Sequence, residues 1–102
     1  MQFSGVICQA TFEHLLDPVA VLRKLVGVLE DGGHLFLHTH TPLFPYHEWP
    51  SDYVRFFPDW FRDVGQLIPE AEVIEIYCGQ GHAFAAYRKR ESAAAQASDN
   101  TP

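Results

Sequence analysis

A chain of 102 residues with 47% hydrophobic content can bury the core of one domain, and one domain is the expectation. The formal charge of −6, with only 7 Lys and Arg spread along the sequence, excludes a basic footprint for nucleic acid. No apolar run approaches the length of a membrane span and no signal peptide precedes the first one, so a cytoplasmic protein is expected.

Gly5-Val6-Ile7-Cys8 is short, apolar on both faces and partly β-branched, the pattern of an interior strand covered on both sides. Met1 to Phe3 is too short to form an element, so the neighbours such a strand needs are expected to lie outside this polypeptide. Gln9 to Leu16 leaves the carboxyl end of that strand, which is where ligands collect in open α/β sheets. Asp17-Pro18 opens a helix, with Asp accepting from free backbone N–H groups and Pro losing no hydrogen bond at the first helical position. Leu22, Leu25, Val26 and Leu29 follow at helical spacing, and Gly32-Gly33 closes the turn after Glu30-Asp31. Leu35-Phe36-Leu37 is a second apolar strand, parallel to the first because a crossover helix joins them.

Thr39 to Pro58 reads as a long aromatic loop with Pro42, Pro45 and Pro50, suited to a lid or substrate wall. Pro58-Asp59 opens a shorter helix whose apolar stripe is Trp60, Phe61, Val64, Leu67 and Ile68. Ala71 to Cys78 alternates as a strand, Gly79-Gln80-Gly81 is a turn, and His82 to Tyr87 returns as an antiparallel partner. Residues 91–102 lack bulky apolar side chains and read as a disordered tail after a domain of residues 1–90. Cys8 and Cys78 sit in apolar runs and read as free buried thiols in a reducing compartment in preference to a disulfide.

Several of these residues carry a resemblance: Val6-Ile7-Cys8, Phe12-Glu13-His14, Asp17-Pro18, Val28-Leu29 with Gly32-Gly33, and His47-x-x-Pro50-x-Asp52-Tyr53-x-Arg55-Phe56. In them the chain resembles the carboxyl-terminal half of a class I S-adenosylmethionine-dependent methyltransferase domain, over about residues 3–88. The resemblance implies an α/β fold, a partial Rossmann-like sheet of two parallel strands with a crossover helix, then a helix and an antiparallel hairpin. It implies a small-molecule or glycan methyl acceptor, with S-adenosylmethionine as methyl donor. Gln9, Ala10, Thr11, Phe12 and Glu13 would then wall the cofactor, His14 would serve as base, and His47, Trp49, Tyr53 and Arg55 would line the acceptor pocket. A plain structural alternative stands beside each role: His14 capping its loop, and an Asp52–Arg55 pair pinning the loop while Tyr53, Phe56 and Phe57 fill the core.

The family's glycine-rich cofactor turn and its acidic ribose partner do not precede Gly5, so a fragment or split domain is expected, with weak or no cofactor binding by this chain alone. Gly79-Gln80-Gly81 is no substitute, because no helix begins behind it. A second reading is a non-catalytic module that pairs through its open sheet edge with its own copy or with a complementary amino-terminal half. A third is a divalent metal site at His38-x-His40 with His47 and Glu48. Its spacing is poor, so no metal ligands are assigned, and His38 is expected to pack under the second helix.

Overall fold

The computed structural model describes residues 2–9, 11–42, 44–45 and 53–91. Strand β1 (Phe3–Gln9) leads through a 3-10 turn (Phe12–His14) into helix α1 (Pro18–Gly27) and strand β2 (Leu29–His40). Helix α2 (Pro58–Asp63) runs on into a 3-10 turn (Val64–Gln66), and strands β3 (Ala71–Gly79) and β4 (His82–Lys89) close the fold. These strands form one mixed sheet in the order β1-β2-β4-β3. The first pair is parallel, with Val6 beside Leu35 and Cys8 beside Leu37, as the crossover helix requires. β4 runs antiparallel to both β2 and β3, so β1 and β3 are the edges among the described residues.

Local chemistry sets the joints. Asp17 Oδ1 accepts from the Ala20 N–H at 3.1 Å and Pro18 takes the first turn of α1, as expected. The hairpin turns on Gln80 and Gly81, with φ of 54° and 82°, a pair of left-handed residues that matches the twist of the flanking strands. Leu22 and Val26 of α1, with Phe61 of α2 and Val64 after it, bury against Leu35 and Leu37 of β2 and Ala83, Ala85 and Tyr87 of β4. The two alanines leave room for α2, and the Tyr87 hydroxyl donates to the Phe61 carbonyl at 2.9 Å. Cys8 and Cys78 are free and half-buried beside this core.

Four expectations are corrected. β1 is covered on one face, not two: Val6 and Cys8 pack inward while Ile7 is 77% exposed, because both helices lie on the same side of the sheet. Second, α1 stops at Gly27, and Leu29 belongs to a β2 that is much longer than Leu35–Leu37. The Phe3 N–H captures the Val28 carbonyl at 2.8 Å and draws the chain into the sheet. Gly32-Gly33 shapes an irregularity inside β2, not a helix end; a Cβ on Gly33 would lie 2.9 Å from the Glu30 carbonyl oxygen. Third, β3 does not alternate throughout, since its register shifts between Val73 and Glu75 and exposes Ile74. Fourth, His38 does not sit under α2. Residues on alternate positions of β2 take opposite faces, and His38 stacks with Phe84 on the face away from the helices, their ring centroids 4.8 Å apart.

Candidate functional site

β1 stops pairing where Gln9 meets His38, so the 3-10 turn that follows comes alongside the last residues of β2. Glu13 in that turn is wholly buried. From the side of the strand its carboxylate reaches two neighbours that point to opposite faces. Thr39 Oγ1 donates to Glu13 Oε1 at 2.8 Å, and His40 Nδ1 lies 3.1 Å from Glu13 Oε2. His14 Nε2 stands 3.5 Å from the same oxygen. The Glu13 main-chain carbonyl accepts from Tyr53 and Val54 N–H groups at 2.8 and 3.2 Å, and the His40 carbonyl accepts from Phe56 N–H at 2.9 Å. The end of β1, the end of β2 and the loop before α2 are thus fastened at one place.

His40 lies directly across the ladder from His82, and His38 across from Phe84, so three imidazoles share one end of the open face. His38 Nε2 and His82 Nδ1 are 2.9 Å apart, a hydrogen bond in which one ring donates and the other accepts. The His40 ring stacks on Phe44 at 3.6 Å between centroids, nearly parallel at 7°. Burial lowers the His38 pKa, aided by His82 and opposed by Glu13. Burial also lowers that of His40, against the pull of Glu13 and with help from His38, Arg55 and His82. Desolvation favours the neutral ring in both cases.

The other expected site residues are placed as follows. Gln9 and Thr11 are exposed at the carboxyl end of β1, with Thr11 Oγ1 donating to the Gln9 carbonyl at 3.0 Å. Phe12 is buried and makes a tilted contact with Phe56, so its ring belongs to the core. Tyr53 is exposed, whereas Arg55 donates to the carbonyls of Val54 and Pro45, both at 3.1 Å, which is a loop-fastening geometry. Its guanidinium carbon also lies 5.6 Å from the Phe44 ring centroid. Ala10, His47, Glu48, Trp49 and Asp52 lie outside the described residues.

Sequence reasoning missed Thr39, Phe44 and His82. The available signal for His82 was its place one step after the Gly81 turn, which lets a hairpin strand begin opposite the end of β2. As for a cofactor, no glycine-rich turn leads into a helix N-terminus among the described residues, and Gly79-Gln80-Gly81 is part of a hairpin. Gln9 and Thr11 offer a wall without a cradle, so the described residues alone do not fit S-adenosylmethionine.

No protein-family model matches the chain, and no curated protein does. Among solved structures, it is similar to a chain from the complex between the Haloferax volcanii Trm112 methyltransferase activator and a protein named as a methyltransferase, with a TM-score of 0.74 at 13% identity. The match covers 89% of this chain and 55% of that one, so this chain spans about half the length of its structural neighbour. At that identity the likeness is one of fold. The chain has a mixed α/β fold, a four-stranded sheet with one parallel pair, shared with part of a protein from a methyltransferase complex.

Proposed function

We propose that the chain is an interaction module with the fold of a methyltransferase's closing half, completed at the β1 edge by a complementary segment carrying the rest of such a sheet. The observation that carries this reading is the state of β1. Natural sheet edges are guarded by charge, proline or a covering element, and Phe3-Ser4-Gly5-Val6-Ile7-Cys8-Gln9 has neither charge nor proline. Ile7 on this strand and Phe36 beside it face away from both helices, on the same face as Phe84 and Tyr77, which lie one pleat along and further across the sheet. A shallow groove of about 310 Å³ runs between Phe36, Tyr77 and Phe84. An exposed apolar face joined to an unguarded strand is a surface for a partner. The structural neighbour's chain continues well beyond the part matched here and occurs in a protein complex, which supports a complementary segment as the occupant.

Photo-crosslinking tests this in the source cell, with a benzophenone amino acid in place of Ile7 and peptide mapping of the adduct. The expected adduct is a strand peptide adjoining a glycine-rich turn of G-x-G type. Adducts confined to a second copy of this chain, or none above background, would overturn it.

A second reading is favoured by the hydrogen bonds from Tyr53 and Val54 to Glu13, which bring the acceptor-side loop against the strand end. In that reading the completed domain is an S-adenosylmethionine-dependent methyltransferase for a small-molecule or glycan acceptor. In it Gln9 and Thr11 border the donor, His14 serves as the base, and Tyr53 borders the acceptor. The isolated chain remains inactive. Calorimetry on this chain should detect no micromolar binding of S-adenosylmethionine, and such binding would refute the need for a partner.

A further inference from the structure

We propose that His38, His40 and His82 bind one divalent transition ion of the zinc class, with Glu13 holding His40 from behind. The site does not depend on how β1 is completed, because all three ligands belong to the β2–β4 pair.

The geometry has three parts. One ring nitrogen from each histidine lies within 4.8 Å of the other two. Zinc–imidazole bonds of about 2.0–2.1 Å place tetrahedral ligands roughly 3.3 Å apart. The His38–His82 separation of 2.9 Å is already close to that, and the His40 nitrogen lies within 4.8 Å of both. A cation accepted by both lone pairs would replace the proton that His38 and His82 now share.

Second, the rings are held. Phe44 stacks on His40 and Phe84 on His38, with centroids 3.6 and 4.8 Å apart. His40 Nδ1 lies 3.1 Å from the Glu13 carboxylate. A carboxylate behind a metal-bound imidazole fixes its tautomer and strengthens the ligand. Glu13 is itself fixed by the Thr39 hydroxyl.

Third, the donor set is selective. Three imidazoles brought together in one place make a nitrogen donor set suited to zinc, copper, nickel or iron, and not to magnesium or calcium. Three protein ligands leave one tetrahedral position for water or a further ligand.

The test is titration of the metal-free 102-residue chain with cobalt(II), followed by displacement with zinc. The expected result is one equivalent bound with the intense visible bands of tetrahedral cobalt, bleached by one equivalent of zinc. His82→Asn should weaken binding at least tenfold, and His34→Asn, on the same strand outside the cluster, should leave it unchanged. If His82→Asn loses its circular dichroism signal, His38→Gln is measured in its place. Substoichiometric binding, octahedral bands, or retention of affinity in a folded His82 or His38 variant would overturn the proposal.

Discussion

The Thr39 hydroxyl donates to the Glu13 carboxylate at 2.8 Å, a buried bond that helps to join the turn after β1 to the end of β2. Both residues are fully buried, so neither can exchange its partner for water. Removing the donor leaves a buried carboxylate oxygen short of a hydrogen bond, which costs more than the bond itself contributes. Thr39→Val, which keeps the shape, should destabilise the chain by about 1–3 kcal/mol. Urea denaturation followed by tryptophan fluorescence checks it, and an unchanged midpoint would show that Glu13 is satisfied elsewhere.

Tyr87 provides a second measurable joint. Its hydroxyl reaches the Phe61 carbonyl inside the core, and burial raises its pKa far above the ordinary phenol. A raised pKa keeps the neutral form at high pH, so at pH 11 Tyr87 should add to the ultraviolet phenolate band only once the fold melts. Tyr87→Phe should cost about 1 kcal/mol and leave the phenolate band of the folded chain at pH 11 unchanged.

The thiols follow the same sign. Burial pushes the Cys8 pKa up, with Glu13 adding to it and the Thr11 hydrogen bond opposing, and burial alone pushes up that of Cys78. Raised pKa values mean less thiolate at any pH below them. Both cysteines should therefore react with iodoacetamide more slowly at pH 8 than in the urea-unfolded chain, with rates still climbing where free cysteine has levelled off.

Gly81 is expected to resist substitution. Its φ of 82° is left-handed, and a Cβ there would lie 3.1 Å from the Phe44 main chain. Gly81→Ala should cost about 1–2 kcal/mol from the backbone conformation alone and should loosen Phe44 from His40. Thermal melting and the ring-current shift of the His40 protons would register the two effects separately.

Ile7 separates pairing from folding. Because it is mostly exposed, Ile7→Lys should leave the melting temperature of the isolated chain nearly unchanged while abolishing attachment of a complementary segment. A large loss of stability in the isolated chain would mean that Ile7 is buried there.

Much of the frame was legible in the residues. Asp17-Pro18 and Pro58 marked helix starts because capping and proline geometry are local effects, and Gly79-Gln80-Gly81 marked the hairpin because left-handed backbone favours glycine. Leu29 was misread because helical spacing extends to it, and Gly32-Gly33 because a glycine pair commonly follows a helix; the helix ends at Gly27, and the Phe3 N–H takes the Val28 carbonyl into the sheet. The apolar run at Val6 to Cys8 could not disclose that its outer face is bare, since a continuous apolar strand reads alike whether one layer or two covers it.

At the strand end the division is sharper. The sequence determined which chemical groups are present: Glu13 beside His14, and two imidazoles on one face of β2. Tertiary structure decided what they meet. His82 is 42 positions beyond His40 in the sequence and becomes its neighbour only through the antiparallel register, while Glu13 finds Thr39 and His40 only because β1 ends early and leaves the flank of β2 open. Long-range pairing follows from burying the whole core at once, and no local pattern of residues encodes it.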